Sequence, residues 1–359
     1  MDVAARSVRL RASLEGRSID ALLVTEMANV RYLTGFTGSA GQLVVTADGL
    51  TFVTDGRYGA QAEAQLSAAG VEAEIEVTNT NQKDVVQAAV AGSARLGLEA
   101  DAVTWSAQRR YAQSWFPELE LVATTGVVEE LRRVKDPGEV DRIARACTIA
   151  DDALATLLPR LGDGPTEAEF GLELDFEMRR RGADDVSFET IVAAGSNGAR
   201  PHHRPSDHVI STGELVVIDF GALVDGYHSD MTRTVQVGEP SATQTRMYEV
   251  VLAAQAAGVA AVIAGRPCRE VDEACRQVID EAGWVDAFLH STGHGVGLDI
   301  HEAPRLAATS DDVLAVGEVV TVEPGVYLAD HGGVRIEDTV VVTADGCQVL
   351  TSAPKGLEL

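Results

Sequence analysis

The chain has 359 residues, and its hydrophobic content of 45% is ample for packed interiors. Its 55 acidic residues against 29 basic residues give a formal net charge of −26, so we expect its surface to repel nucleic acid and anionic lipid. The longest apolar runs are too short to span a bilayer, and the first residues lack an uninterrupted apolar segment. We therefore expect no membrane span, no signal peptide and a location in the cytoplasm.

A chain of this length is expected to form two domains, the first of them α/β. Arg6 to Leu14 has helical apolar spacing, and Ala21 to Thr25 is typical of a short buried strand. Two more strands, QLVVT and LTFVT, follow on either side of the turn residues Ala47-Asp48-Gly49. The glycine-rich segment at residues 35–41 precedes a strand and does not open a helix, so we interpret it as a structural loop and not as a phosphate site.

The boundary between the domains is expected near residues 125–136, where Thr124-Thr125-Gly126 is followed by a long helical pattern. We therefore assign residues 1–127 to the N-terminal domain and residues 128–359 to the second domain.

Two helix starts follow this boundary. Asp136 precedes Pro137 and stands three residues before Glu139, which is the pattern of a capped helix N-terminus. Thr166 and Glu169 form a second pattern of the same kind, typical of a capping box.

The rest of the second domain alternates hairpins and helices. LVVIDFGALV and HSDMTRTVQVG are predicted to be strands joined by a tight turn at Asp225-Gly226. Helices are predicted at about residues 241–264 and 268–282, and EVVTVEPGVYL pairs with GVRIEDTVVVT in a second hairpin. Because both hairpins carry carboxylates, we expect a pseudo-symmetric fold in which each half contributes one ligand-bearing hairpin. The four cysteines form no CxxC pair and are interpreted as free thiols.

Chemistry is expected in this second half, because all eight histidines lie between His202 and His331. Acidic residues and one histidine recur on the two hairpins and between them: Asp219, Asp230, His294, Glu323 and Glu337. Two carboxylates on adjacent strands repel each other unless a cation lies between them. Four carboxylates and one imidazole are the donors that two oxygen-preferring divalent cations need.

Mn²⁺ is the expected metal, with Co²⁺, Zn²⁺ or Fe²⁺ as alternatives, and the absence of cysteine ligands argues against a structural zinc site. Two such ions about 3.5–4 Å apart would share a hydroxide, lower its pKa and stabilise a tetrahedral intermediate. Gly293 and Gly295 flank His294, and we expect them to let the backbone approach a metal closely.

Three further histidines have the spacing of groups that assist at such a site: His202, His290 and His301. An imidazole beside an anionic intermediate stabilises it and delivers protons. Each of the three is equally well explained as a hydrogen-bonding loop residue. The remaining loop histidines, His203, His208 and His331, are interpreted as surface groups.

Together these motifs resemble the pita-bread metallopeptidases, specifically the proline-specific branch of Xaa-Pro dipeptidases (prolidases) and Xaa-Pro aminopeptidases. NVRYLTGFTGS and TDGRYGAQA resemble a creatinase-type N-terminal domain. PHHRPSD, VVIDFGALVDGYHSDMTRT, STGHGVGLDIHEAPR, VEPGVY and GGVRIEDT resemble the catalytic domain. The resemblance implies an α+β fold, with a pita-bread catalytic domain and a smaller α/β N-terminal domain.

The resemblance also implies roles for residues. Asp219 would chelate one metal ion, Asp230 and Glu337 would bridge both ions, and His294 and Glu323 would hold the other. Glu323 would in addition take the proton from the attacking water. The helper histidines (His202, His290, His301) match positions that contact the substrate carbonyl and the leaving nitrogen, and Arg335 matches an arginine that orients a ligand.

Arg305 bears on specificity, because it matches an arginine that in prolidases binds the free carboxylate of the C-terminal proline. The resemblance therefore implies hydrolysis of Xaa-Pro bonds, most readily in dipeptides, by a protein whose relatives commonly form homodimers. A surface position for Arg305 remains an alternative, and so does an Xaa-Pro aminopeptidase acting on longer peptides.

Two other classes also remain open. A creatine-type amidinohydrolase and a non-catalytic binding module both occur on this fold, but such proteins lack the complete ligand set. Methionine aminopeptidases lack an N-terminal domain of this size.

Overall fold

The computed structural model describes residues 1–357, and the chain forms two compact units, Met1–Arg132 and Arg133–Leu359. No helix within residues 1–357 is both long enough and apolar enough to cross a bilayer.

The first unit is a mixed α/β structure around one six-stranded sheet. Its elements in chain order are α1 (Val3–Ser13), β1 (Ala21–Val24), α2 (Met27–Thr34), β2 (Gln42–Thr46), β3 (Leu50–Thr54), α3 (Gly59–Ala68), β4 (Glu74–Val77), α4 (Gln82–Ala89), β5 (Arg95–Glu99), α5 (Trp105–Arg110), β6 (Glu120–Thr124) and α6 (Glu129–Arg133). The strand order is β4-β3-β2-β1-β5-β6. Strand β1 pairs antiparallel with β2 and parallel with β5, and all four of its residues are buried, as the apolar run ALLV predicts. The loop at residues 35–41 follows α2 and leads into β2, so the prediction that it precedes a strand is confirmed.

The second unit holds every residue singled out for chemistry. Its elements are α7 (Pro137–Leu157), α8 (Glu167–Arg180), β7 (Asp185–Val186), β8 (Ile191–Ala194), β9 (Leu215–Phe220), β10 (Ala222–Val224), β11 (Tyr227–His228), β12 (Met231–Gln236), α9 (Ala242–Ala261), α10 (Cys268–Glu281), β13 (Gly293–Gly295), β14 (Glu302–Leu306), β15 (Val319–Val322), β16 (Gly325–Leu328), β17 (Gly332–Arg335), β18 (Asp338–Thr343) and β19 (Gly346–Val349).

The predicted helix starts are confirmed as capping boxes. The Asp136 carboxylate accepts a hydrogen bond from the backbone N–H of Glu139, and the Glu139 carboxylate accepts one from the backbone N–H of Asp136. Thr166 and Glu169 make the same reciprocal pair at the start of α8. Both helices therefore begin where the sequence predicts.

In the second unit, each of two groups of strands is covered by its own pair of helices, as expected for a fold with two similar halves. α7 and α8 pack on β8, β9, β10 and β12 around Phe170, Leu174 and Ile218. α9 and α10 pack on β15, β16, β17 and β18 around Val251, Val271 and other apolar side chains. All four cysteines are free, and two of them, Cys268 and Cys275, are buried in this second core.

Both predicted hairpins are interrupted part-way along. β9 gives way to β10 at Gly221, and the facing strand breaks between β11 and β12 at Ser229-Asp230. In the second hairpin β15 gives way to β16 at Glu323-Pro324, and the facing break between β17 and β18 falls at Ile336-Glu337. Each hairpin thus passes from one sheet into another.

The glycines beside His294 allow close packing of neighbouring strands, a role that the sequence analysis did not predict. His294 lies in β13, between β14 and β15. A Cβ at Gly293 would lie 2.0 Å from the carbonyl oxygen of Thr321, and a Cβ at Gly295 would lie 2.3 Å from that of Ala303. Only glycine permits neighbouring backbones this close.

Replacing Gly293 by alanine is expected to destabilise the second unit, because the clash is with a strand carbonyl that cannot rotate away. We expect Gly293→Ala to cost about 1–3 kcal/mol in the free energy of unfolding, measured as a lower thermal midpoint. Gly162→Ala is the matched control, since nothing lies within 4 Å of a Cβ there. Equal midpoints for the two variants would contradict the close-packing argument.

Candidate metal centre and substrate cavity

The hairpin interruptions position the acidic side chains. Asp219 lies within β9, where its cross-strand partner is Thr232. Asp230, Glu323 and Glu337 all lie at the breaks between strands. At a break the strand changes direction and leaves its ladder, so a side chain can point into the space between the two sheets. The breaks place three of the carboxylates, and β9 places the fourth, Asp219, at the wall of one cavity.

One cavity of about 1030 Å³ in the second unit brings the predicted site residues together. All ten line it: His202, Asp219, Asp230, His290, His294, His301, Arg305, Glu323, Arg335 and Glu337. Its size is in the upper range for pockets that enclose a small organic ligand.

A compact cluster of potential metal ligands lies at the cavity wall. One ligand atom each of Asp230, His294 and Glu337 lies within 4.8 Å of the others. His294 Nε2 is 3.4 Å from Asp230 Oδ2 and 3.4 Å from Glu323 Oε1. His294 Nδ1 is 3.0 Å from the backbone carbonyl of Gly295. A proton on Nδ1 would be donated there, which leaves Nε2 with a lone pair facing the carboxylates.

The carboxylate oxygens fit a cation better than they fit each other. Within residues 1–357, the buried carboxylate oxygens without a hydrogen-bond partner are Asp219 Oδ1 and Glu337 Oε1. A buried unpaired oxygen of this kind is costly unless a cation or donor satisfies it. Both residues line the cavity and are among the five predicted ligands, so this observation supports metal binding independently of the residue types.

The pKa values of these groups also show that burial and neighbouring negative charge disfavour ionised carboxylates here. Burial raises the pKa of Asp230 to about 6, with the Asp219 charge adding to the shift. Burial raises the pKa of Glu323 to about 7 and that of Glu337 well above its ordinary value, with the neighbouring carboxylates reinforcing both shifts. Burial alone would lower the pKa of His294, but its hydrogen bond to Asp230 and the nearby negative charges raise it to about 9. A bound cation would reverse the carboxyl shifts.

Arg335 holds Asp219 in place beside the cluster. Its Nη2 donates to Asp219 Oδ2 at 2.6 Å, and its Nε donates to Thr232 Oγ1 at 3.1 Å. Its Nη1 lies 2.8 Å from the hydroxyl of Tyr327, which is also 2.8 Å from His290 Nε2. Arg335 is itself almost fully buried, so its position is fixed by these bonds.

The histidines differ in how far they are already engaged. His290 has both ring nitrogens occupied, by the Ser291 carbonyl and by Tyr327, and burial lowers its pKa to about 4. His202 and His301 make no hydrogen bond within residues 1–357. Burial, followed by the positive charge of His294, lowers the pKa of His301 below its ordinary value. The His301 ring packs edge-on against His294 at 4.4 Å between centroids.

The surface interpretation of His203 is wrong. His203 is buried, and its Nε2 lies 2.9 Å from Glu167 Oε2. The polarity of the segment PHHRPSD gave no sign that the second histidine turns inward to a carboxylate on α8. His208 is partly exposed beside Glu214, and His331 is exposed, as expected.

Arg305 projects from β14, directly opposite His294 on β13. It is exposed and lines the cavity, and its guanidinium has no hydrogen bond or ion pair within the described chain. An unpaired guanidinium at the mouth of an acidic cavity is suited to receive a carboxylate.

Some cavity residues were not predicted from the sequence. Phe188, Ile191 and Ile300 form an apolar part of the cavity wall. Tyr327 does not line the cavity, but its hydroxyl joins His290 to Arg335. Apolar wall residues resemble ordinary core residues in a sequence, so no pattern distinguishes them. Tyr327 follows Glu323 by four residues in the motif VEPGVY, and this spacing is a signal that could have indicated it.

Similar proteins of known structure cover nearly the whole chain. An Xaa-Pro dipeptidase from Bacillus anthracis is 42% identical with a TM-score of 0.96, covering 99% of this chain and 100% of that one. An X-Pro aminopeptidase from Thermotoga maritima is 35% identical with a TM-score of 0.90, covering 99% and 100%. An Xaa-Pro dipeptidase of Pyrococcus furiosus is 35% identical over 98% of this chain and 99% of its own length.

Two family models match successive parts of the chain. The creatinase/prolidase N-terminal domain matches residues 6–134, and metallopeptidase family M24 matches residues 141–344. The expected α+β class is confirmed, with a pita-bread catalytic domain preceded by a creatinase-type N-terminal domain. The chain belongs to metallopeptidase family M24.

Proposed function

We propose that this protein is a two-metal exopeptidase that hydrolyses the Xaa-Pro peptide bond, most readily in dipeptides. The observation that carries the proposal is a set of three side chains with no hydrogen-bond partner in residues 1–357, all lining the cavity that contains the ligand cluster: His202, His301 and Arg305. Polar side chains without internal partners in a cleft are available to a substrate. The similarity to proteins named Xaa-Pro dipeptidases and X-Pro aminopeptidases supports the same bond.

Five side chains would hold two divalent metal ions, with Mn²⁺ favoured by the oxygen-rich donor set. These side chains are Asp219, Asp230, His294, Glu323 and Glu337, and all five line the cavity. When bound, the ions would supply Lewis acidity and a water of lowered pKa. Arg335 would keep Asp219 in its binding orientation, because its guanidinium occupies Asp219 Oδ2 and leaves Oδ1 free.

Different side chains would then transfer the proton and stabilise the developing negative charge. The Glu323 carboxylate would accept a proton from the attacking water and return it to the leaving nitrogen of proline. His202 and His301, both without hydrogen-bond partners in the described chain, would donate to the carbonyl oxygen as charge develops on it. His290 would act indirectly, since both of its ring nitrogens are engaged and it holds Tyr327.

Arg305 would select for dipeptides by binding the carboxylate of a C-terminal proline. The tertiary amide of an Xaa-Pro bond has no N–H, so strand-like backbone recognition is unavailable and a charged anchor at the far end gains importance. The second candidate is an Xaa-Pro aminopeptidase, favoured by the exposure of Arg305 at the cavity mouth and by the similarity to the Thermotoga enzyme. A longer peptide would then continue past Arg305.

Metal removal is expected to make the stability of the protein strongly dependent on pH. Carboxyl groups whose pKa is raised by folding hold protons that the unfolded chain has released, so rising pH destabilises the folded state. This loss covers the interval from the ordinary values to about 6 for Asp230 and about 7 for Glu323. For His294 it continues from 6.5 to about 9. We therefore expect the thermal midpoint of the chelator-treated protein to fall as the pH rises from about 5 to about 8, and Mn²⁺ to restore it.

The control for this experiment is a buried carboxylate, Asp151, that does not line the cavity. Asp151 accepts hydrogen bonds from the backbone N–H groups of Ser352 and Ala353. Asp151→Asn should lower the midpoint with or without metal and keep the Mn²⁺-induced rise, whereas Asp230→Asn should abolish that rise. An unchanged Mn²⁺ response in Asp230→Asn would refute the ligand assignment.

Arg305→Ala is expected to impair dipeptide hydrolysis selectively. Losing a charge-assisted hydrogen bond of about 1.5–3 kcal/mol corresponds to a KM for Ala-Pro raised about 10- to 100-fold, with little change in kcat. Hydrolysis of Ala-Pro amide, which has no carboxylate, should be unaffected. Steady-state kinetics with both substrates and with Ala-Pro-Ala measure these changes in the Mn²⁺-loaded protein.

Arg204→Ala is the matched control, because Arg204 lines the same cavity but its guanidinium is paired with Glu189 at 3.1 Å. It should leave the ratio of dipeptide to amide hydrolysis unchanged. A wild-type preference for Ala-Pro-Ala that survives Arg305→Ala would instead support the aminopeptidase. No hydrolysis of any of these peptides by the Mn²⁺-loaded wild type would overturn the proposed function.

A further inference from the structure

A buried carboxylate lies behind the loop that carries His202. Glu167 is the first residue of α8 and is fully buried. It is neither a cavity-lining residue nor a candidate metal ligand. Burying an ionised carboxylate is unfavourable unless donors surround it, so the position of Glu167 calls for an explanation in terms of those donors.

Both oxygens of Glu167 are fully engaged. Oε1 accepts from the backbone N–H of Ala194 at 2.7 Å and from Asn197 Nδ2 at 2.9 Å. Oε2 lies 2.9 Å from His203 Nε2, and it accepts from the Ser206 backbone N–H at 3.0 Å and from Ser206 Oγ at 2.6 Å. One carboxylate thus joins the end of β8 to the loop at residues 200–206.

The N-terminus of α8 reinforces this attachment. The backbone N–H of Glu167 donates to the carbonyl of His208, and that of Ala168 donates to the carbonyl of Ser206, both at 3.0 Å. These are N–H groups that a helix cannot satisfy internally. A negative charge at this end of a helix is also favoured by the helix dipole.

His202 lies between two anchored neighbours. The carbonyl of Pro201, just before it, is 3.4 Å from Arg335 Nη1, and His203, just after it, is held by Glu167. His202 itself is exposed to the cavity and makes no hydrogen bond within the described chain. Its position therefore depends on the bonds made by the residues on either side.

We propose that Glu167 is a positioning residue for His202, acting through His203 and Ser206 and never touching the substrate. This inference rests on the proposed function, because it takes His202 to contact the substrate carbonyl. Glutamine cannot replace this carboxylate: its amide nitrogen only donates, and it would face a donor whichever way the amide turns. The loop would shift, and displacements of about 1 Å at a reacting group are sufficient to lower rates by about 100-fold.

A double-mutant cycle on the Mn²⁺-loaded full chain tests this. Glu167→Gln should lower kcat for Ala-Pro about 10- to 100-fold while leaving the Mn²⁺-induced rise in thermal midpoint intact. In a His202→Ala background the same change should lower kcat less than about twofold, because the group that it positions is gone. An equal loss in both backgrounds would overturn the inference.

Glu139→Gln is the matched control. Glu139 is also a buried carboxylate in the first turn of a helix, and it accepts from the Asp136 N–H and from the Tyr227 hydroxyl. Its replacement should lower the thermal midpoint but show the same small effect on kcat in both backgrounds. Should Glu167→Gln fail to fold, Ser206→Ala, which removes one of the five bonds, is expected to show the same dependence on His202 at a smaller size.

A crystal structure of Glu167→Gln separates failure of this inference from failure of the proposed function. The inference predicts that His202 and the loop at residues 200–206 move while the ligand cluster does not. An unmoved His202 overturns it whatever the substrate is. A moved loop in a protein whose wild type hydrolyses none of the peptides overturns the substrate assignment and leaves the positional dependence of His202 on Glu167 established.

Discussion

The catalytic unit depends on the mutual repulsion of carboxylates gathered in a buried place. Asp230, Glu323 and Glu337 all have raised pKa values because burial and neighbouring negative charge disfavour ionisation. The positive charges of His294 and Arg335 lower the pKa of Asp230 and of Glu323, but they do not outweigh the effect of burial. The folded chain thus holds an unfavourable arrangement that divalent cations would convert into a favourable one, and metal affinity and stability become linked properties.

The fold maintains that arrangement by placing three of the carboxylates where its strands are interrupted. Apolar strands covered by α7, α8, α9 and α10 provide a rigid frame on both sides. At the breaks the ladders stop, and the side chains there turn into the space between sheets. A regular hairpin would have directed successive residues to opposite faces. Rigid flanks with local irregularity give fixed ligand positions without the flexibility of a long loop.

The part of the cavity that carries His202, His301 and Arg305 is built differently from the part that carries the four carboxylates. Its polar groups, His202, His301 and Arg305, are exposed and have no hydrogen-bond partners within residues 1–357. Their placement comes from residues behind them. A loop fastened by a buried carboxylate presents His202, and a strand paired with β13 presents Arg305. Candidate metal ligands held by their neighbours, and cavity side chains without such partners, are what the proposed hydrolysis of small peptides requires.

The sequence by itself determined the elements, the ligand candidates and the family. Capping boxes at Asp136 and Thr166 and the alternation of strands are local signals, and five ligand motifs in order were specific. Only the tertiary structure decided that three of the four carboxylates lie at strand breaks, that Gly293 serves packing, and that His203 is buried against Glu167. The physical reason is that a break, a close backbone approach and a buried ion contact are set by partners distant in the chain. Glu167 and His203 are separated by 36 positions, and no local pattern records that they meet.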